Sequence, residues 1–345
     1  MSEQTVNPAL STAQLDAASV DMGKINFMKM KNPAMLLSLV LVVVSVFGIW
    51  YKGLNLGVDF TGGTIIEVSY PNAADLNQVR TTLAQAGYAE AQVQHFGSSQ
   101  EVLIRIAPRE GVASATLSNE VVKALQTSES ENLTLRRVEF VGPQVGEELT
   151  TGGALAVLYA LIGIMIYVAL RFEFRFSLGA IVALVHDVVI TVGAFAWTQV
   201  QFDLTVVAAL LAIIGYSIND TIVVFDRVRE NFRTVRDGSP SEVTNKALND
   251  MLSRTLMTSL TTLLVLVALF SLGGEIIHGF AFALIIGVVV GTYSSVYIAS
   301  SVALILGVSK QDLMPPVKEG VSAEEQEAEL QRAFLEAEAK RKTQD

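Results

Sequence analysis

The sequence contains no cysteine and only three histidines, His95, His186 and His278, in 345 residues. The first absence excludes disulfide bridges, thiol chemistry and Cys-based zinc sites, and the second leaves little for metal ligation. Charge is also scarce: Asp, Glu, Lys and Arg make up 17% of the chain against 51% hydrophobic residues, with a mean hydropathy of +0.46. Such a composition is not that of a soluble domain. The net charge of −10 owes much to a carboxyl-terminal tail carrying Glu319, Glu324, Glu325, Glu327, Glu329, Glu336 and Glu338, and it speaks against nucleic acid as a partner. No A-x-A-like cleavage site follows the first apolar run, which therefore reads as an uncleaved signal anchor.

What the chain has is apolar length. Runs near 34–51, 153–171, 178–198, 204–225, 255–274 and 280–307 are each about 20 residues, enough to cross a ~30 Å hydrocarbon core. They define a polytopic α-helical membrane protein with six transmembrane helices. Lys24, Lys29 and Lys31 precede the first run, Arg171 and Arg175 join the second and third, and Arg227, Arg229, Arg233, Arg236, Lys246 and Arg254 join the fourth and fifth. Lys310 follows the sixth, and the opposing connections 199–203 and 275–279 hold no Lys or Arg. Only Lys52 departs from the pattern, so both termini are expected in the cytoplasm. The expected divisions are a cytoplasmic segment at 1–33, an external domain at 52–150, a charged cytoplasmic loop at 226–253 and an acidic tail at 308–345. The loop's Val228, Phe232 and Val235 keep helical spacing, as in a helix lying along the membrane surface.

The external segment has soluble-domain patterning. GTIIEVSY (63–70) reads as a strand, and Leu76, Val79, Leu83 and Ala86 then recur at helical spacing, with Asn72 and Asp75 placed to cap and Gly87 to stop. EAQVQHF and EVLIRIA follow as strands, with Val102, Ile104 and Ile106 alternating onto one face. Leu117, Val121 and Leu125 mark a second helix, and LTLRRVEFV (133–141) closes an α+β, ferredoxin-like βαββαβ order. Strands 63–70 and 101–107 are taken as the edges on which an extended chain would pair.

Inside the apolar runs the only fully charged residues are Asp187 and Asp220. An ionised Asp at the centre of a membrane helix costs roughly 2.5–3.5 kcal/mol, and such groups mark ion pathways more often than packing. Asp220 shares a helix face with Tyr216 and Ser217, and Asp187 is followed one turn later by Thr191. Arg254 opens the fifth run, with Thr258 and Thr261 continuing its face inward. Asp187, Asp220 and Arg254 are expected to converge as one buried cluster. His186 diverges from Asp187 by about 100° on a helix and is expected to be a packed imidazole pointing away. Gly287, Gly291 and Ser295 form a small-residue seam for a close neighbour.

Several stretches carry a resemblance in chain order: GVDFTGGT (57–64), VEFVGPQVGEEL (138–149), RFEFRF (171–176), LVHDVVIT (184–191), IGYSINDTIVVFDRVREN (214–231), SRTLMTSLTTLL (253–264) and GTYSSVYIAS (291–300). From Phe27 to about Gly307 the chain resembles the SecD/SecF family of protein-export membrane proteins, relatives of the resistance-nodulation-division transporters. The resemblance implies a non-enzymatic accessory subunit in the bacterial inner membrane. It pairs with SecD beside the SecYEG channel, with YajC as a further partner, and acts on a translocating unfolded preprotein in contact with membrane lipid. It also implies the proton gradient as energy source in place of a cofactor, with Asp220 as the pathway carboxylate and Arg254 as the arginine heading the fifth span. DFTGGT looks like a family signature, for which a tight entry into the first strand is sufficient explanation.

Three rivals follow from the same residues. A small-molecule or lipid exporter would carry larger, duplicated external domains. An intramembrane aspartyl protease would use two Asp as a dyad, but no GxGD surrounds either one. A passive scaffold would leave Asp220 dispensable.

Overall fold

A computed structural model describes residues 25–108, 114–126, 133–234 and 239–308. Most of the expected amino-terminal segment and nearly all of the acidic tail lie outside these residues. After a 3-10 turn at Met28–Met30, α1 spans Lys31–Lys52, and a short α2, Val58–Thr61, leads into β1, Gly63–Ser69. Then come α3 (Leu76–Gln85), β2 (Gln92–Phe96), β3 (Ser98–Ile106), α4 (Ser114–Gln126) and β4 (Thr134–Val141). The remaining helices are α5 (Pro143–Arg171), α6 (Phe174–Thr198), α7 (Leu204–Thr234), α8 (Pro240–Leu272) and α9 (Glu275–Ser294), which passes through a π-turn at Ser295–Ala299 into α10 (Ser300–Ile305). With α9, the π-turn and α10 taken as one rod, six helices among the described residues are long and apolar enough to cross a membrane.

The helices outrun the apolar runs. Residues 143–150, expected in the external domain, are the first turns of α5, which starts with Pro143 where a missing N–H costs nothing. The segment expected as a loop at 226–253 is mostly two helical extensions. Continuing α7 buries Val228 and Phe232 in the bundle core instead of laying them on a surface; Val235 is outside the described residues. Asp250 ties the extensions together, accepting from Arg227 Nη2 at 2.9 Å and Asn231 Nδ2 at 3.2 Å. Ser239 and Glu242 form a reciprocal capping box that starts α8. Ahead of α1, Ile25 and Met28 bond to Asn245 and Asn249 of α8, and Phe27 and Met28 enter the bundle core.

The external sheet has the order β2-β3-β1-β4 with every neighbouring pair antiparallel, the split arrangement of a ferredoxin-like domain. Ile66, Val68, Val102, Ile104 and Ile106 point to one face and are buried against Val79 and Leu83 of α3 and Leu117, Val121 and Leu125 of α4. Asp75, not Asn72, caps α3. The topology corrects one expectation: strands 63–70 and 101–107 are central, because this order places the first and third strands inside the sheet. The free edges belong to β2 and β4, and β4 leaves Leu135, Val138 and Phe140 exposed.

The two glycines of DFTGGT make the sharp entry into β1. Gly62 has φ +67° and Gly63 φ +128°, and a Cβ on Gly63 would stand 2.5 Å from the Ile106 carbonyl oxygen. Gly63→Ala therefore combines backbone strain of about 1–3 kcal/mol with a backbone clash. Hydrogen exchange of the β1 and β3 amides in the full-length protein should accelerate roughly tenfold or more. Gly142→Ala, with φ −65° and open space around it, should leave the same amides unchanged.

Candidate functional site

The helices most enclosed by their neighbours are α6 and α7, and each carries one of the two intramembrane carboxylates. Asp187 on α6 is 1% exposed. Its Oδ2 accepts from Ser217 Oγ of α7 at 2.5 Å and from Ser294 Oγ of α9 at 2.8 Å. Its Oδ1 lies 2.9 Å from His186 Nδ1. Side chains from three helices thus meet one carboxylate, which is the partnering a buried polar group requires.

That convergence depends on the close approach of α9 to α7. A Cβ on Gly287 would stand 2.3 Å from Ile213 Cγ1, and one on Gly291 would stand 3.2 Å from Ser217 Cβ and 3.5 Å from Asp187 Oδ2. The small-residue seam expected on the sixth span is therefore real at these two positions, and its neighbour is α7.

The structure corrects the reading of His186. Adjacent Cβ atoms do diverge on a helix, yet the Asp187 carboxylate bends back far enough to meet the imidazole. The ring also stacks on Tyr293 with centroids 6.4 Å apart. Tyr293 in turn donates its hydroxyl to Ala34 O at 2.7 Å and accepts from Ser38 Oγ at 3.2 Å, so this polar chain reaches α1.

Asp220 lies on α7 one turn beyond Ser217 and is 7% exposed. Among the described residues its Oδ2 has no hydrogen-bond partner, and Tyr216 Oη and Thr221 Oγ1 beside it have none either. Arg254 is close enough to act electrostatically on Asp220, but no ion pair joins them. Arg254 opens instead on a cavity of about 730 Å³ whose lining includes Arg171, Asp226, Arg227, Glu230 and Asp250.

The expected single cluster is therefore two sites: a satisfied carboxylate at Asp187 and an unsatisfied one at Asp220 with Arg254 at the cavity end. Ser217 is the reason, because its hydroxyl is spent on Asp187. Thr258 and Thr261 do not join either site; their hydroxyls donate to Arg254 O at 3.1 Å and Met257 O at 2.8 Å on their own helix. The two aspartates do not hydrogen-bond to each other, as a protease dyad would require. Among the described residues no group of three or more His, Cys, Asp or Glu is placed to hold a metal ion.

A feature that patterning did not anticipate lies at the opposite end of α6 and α7. Their connection, 199–203, is hooked to the foot of the external domain. Gly57 N donates to Phe202 O at 2.7 Å, Phe202 N to Asn55 O at 2.8 Å, and Asp59 Oδ2 accepts the first amide of α7, Leu204 N, at 2.9 Å. Arg105 of β3 donates to Leu56 O at 3.3 Å. Burial lowers its guanidinium below the ordinary value, while the carboxylates of Asp203 and Asp59 pull the other way. The abundance of Asp, Asn and Gln around 55–59 and 199–203 was the available signal.

Comparisons with known proteins agree with this architecture. The family described as "Protein export membrane protein SecD/SecF, C-terminal" matches residues 120–309, and the "SecD/SecF GG Motif" matches 48–70, which includes Gly62 and Gly63. The chain is 51% identical over 300 residues to the protein translocase subunit SecF of Vibrio alginolyticus, covering 87% of this chain and 95% of that one. It is 49% identical to the subunit of the same name from Pseudomonas aeruginosa, covering 86% and 96%. Among solved structures it is similar to the translocon-associated membrane protein SecDF of Thermus thermophilus, with a TM-score of 0.75 and 36% identity. That match covers 83% of this chain and 39% of the larger protein.

Asp187→Ala would leave Ser217, Ser294 and His186 without their shared acceptor, and each orphaned buried donor costs about 1–3 kcal/mol. Asp187→Asn keeps one acceptor oxygen. Thermal unfolding of the purified protein in detergent should therefore rank wild type above Asn and Asn above Ala; an Ala variant as stable as wild type would show that the cage does not hold the bundle.

Proposed function

The chain belongs to the SecD/SecF family of protein-export membrane proteins, a multi-pass membrane subunit accessory to Sec export, and from that premise we propose that it draws on the proton gradient through Asp220. The observation that carries the proposal is a buried carboxylate with an unpartnered oxygen on the enclosed helix α7, within electrostatic reach of Arg254. A carboxylate oxygen kept without a hydrogen-bond partner is free to take up and release a proton; Asp187, held by the Ser217 and Ser294 hydroxyls and in contact with His186, anchors the neighbouring end of the path.

Arg254 stands where Asp220 meets the charged cavity, which faces the cytoplasm in the orientation set by the positive residues, with both termini on that side. Approach of the guanidinium favours the ionised Asp220 and withdrawal favours the neutral form. One charge moved through the potential supplies about 2.3 kcal/mol per 100 mV, and each pH unit about 1.4 kcal/mol, enough to bias conformations a few kcal/mol apart. The hook between 199–203 and residues 55–59 would pass movements of α6 and α7 to the external domain. SecD is the partner in this scheme, with the SecYEG channel and YajC completing the assembly, and an unfolded preprotein is the substrate. The external domain handles it on the open edge of β4, whose unpaired backbone groups and exposed Leu135, Val138 and Phe140 suit an extended chain.

Asp220→Asn keeps the shape but cannot release a proton, so gradient-stimulated export should be lost with the protein still inserted and abundant. Export at the wild-type rate would end the assignment. Arg254→Lys should impair the same export because a point charge does not reproduce a planar fork, and Arg254→Met should be worse. Photo-crosslinkers at Arg136 and Phe140 should trap a translocating chain while those at Ile66 and Ile104 trap none; adducts to the partner subunit alone would make β4 an assembly interface instead.

A further inference from the structure

The segment ahead of α1 is held by its backbone. Ile25 N donates to Asn249 Oδ1 at 2.9 Å, and Ile25 O accepts from Asn249 Nδ2 at 2.8 Å and from Asn245 Nδ2 at 3.1 Å. Met28 N donates to Asn245 Oδ1 at 3.3 Å. Asn245 and Asn249 stand four positions apart on α8, so both amides reach from one face and pair with Ile25 as a neighbouring strand would. The Ile25 side chain is 42% exposed, and the contact is therefore made by main-chain groups. Asn249 Nδ2 also donates to Asn245 O at 2.8 Å, which uses its second hydrogen and fixes the amide in place.

From this strap, direct contacts run without a gap to the Asp187 cage. Phe27 is 7% exposed and meets Tyr297 edge to face, with ring centroids 6.1 Å apart. Tyr297, in the π-turn, lies 5.2 Å from Tyr293, and Tyr293 stacks on His186, whose Nδ1 is 2.9 Å from Asp187 Oδ1. The helix that grips the strap also carries Arg254, five positions after Asn249. We propose that Asn245 and Asn249 are positioning residues, which act through strap 25–30 to set the amino-terminal part of α8, Arg254 included, against the carboxylate cage on α6. Packed aromatic rings keep preferred mutual orientations, so a displaced Phe27 is felt at Tyr297, Tyr293 and His186 in turn. Elsewhere α8 is bonded to α7 through Asp250 and to α9 through Ser259, whose hydroxyl is 2.7 Å from that of Thr292. The strap adds the tie toward α1.

Coupling along such a chain of contacts is measurable by combining substitutions at its two ends. The sequence has three histidines, so the ring signals of the 15N-histidine-labelled full-length protein, reconstituted in lipid with its partner subunit, are assigned by replacing His95 and His278 singly. At one fixed pH, Asn245→Ala combined with Asn249→Ala should shift the His186 signals and speed trypsin cleavage after Lys29 about tenfold. Ile25→Ala, which keeps every main-chain bond, should do neither. In a Tyr297→Leu background the asparagine substitutions should still speed cleavage but should no longer move His186. Signals indifferent to the asparagine pair, or moved as far with Tyr297→Leu, would reduce the strap to a local tether and overturn the proposal. If the double variant does not insert, Asn249→Asp carries the same test at smaller amplitude, since it keeps the acceptor for Ile25 N and loses the donor to Ile25 O. Gradient-stimulated export should fall in the asparagine variants, a step that rests on the proton reading of Asp220 and Arg254; a normal rate with the strap released would overturn the positioning of Arg254. The His186 signal does not depend on that reading, so normal export by Asp220→Asn would end the proton reading alone.

Discussion

A carboxylate buried at 1% exposure inside a membrane bundle must be answered by polar partners, and at Asp187 these come from three helices. Most of the packing can be traced back to that requirement. Ser217 and Ser294 must both come within hydrogen-bonding distance, so α7 and α9 cannot stand apart by the width of two large side chains. Glycine at 287 and 291 removes the obstruction. His186, placed by the same carboxylate, sets the ring of Tyr293, and Tyr293 fixes α1 through Ala34 and Ser38. A single polar centre thus orders four helices in a solvent where apolar contacts between helices confer little preference.

The second organising contact is at the other end of the same helices. The connection between α6 and α7 is stitched by main-chain bonds to residues 55–57, and Asp59 caps α7 from within the external domain's entry segment. The helices that bear the carboxylates are therefore the ones whose ends the external domain grips. The link at one end and the polar centre deeper in the bundle thus fall on the same two helices.

The membrane spans and the order of strands and helices in the external domain could be read from residue patterning, because apolar length and period-2 or helical alternation are local properties. Val102, Ile104 and Ile106 fall on the buried face that their alternation predicts. Long-range properties could not be read. Which strands form the sheet edges depends on topology, and alternation is the same in β1 and β4. Asp187 and Asp220 are the charges inside the apolar runs and Arg254 heads one of them, yet their division into two sites turns on which carboxylate claims the Ser217 hydroxyl. The His186 contact was missed because a helical wheel fixes Cβ directions and not side-chain reach. Charge along 226–253 suggests a loop, whereas Arg227 pairs with Asp250 from one helical extension to the other and Asn231 donates to the same carboxylate.

The π-turn at Ser295–Ala299 follows immediately on Ser294. Each extra residue in a turn advances the angular phase of everything after it by about 100°. Here the advance reconciles two demands that an uninterrupted α-helix would set at odds: Ser294 presented to Asp187, and the Ala299 carbonyl laid against Gly179, where a Cβ would stand 2.7 Å away. The rod therefore contains a built-in dislocation, across which its two halves meet α6 at different rotational phases.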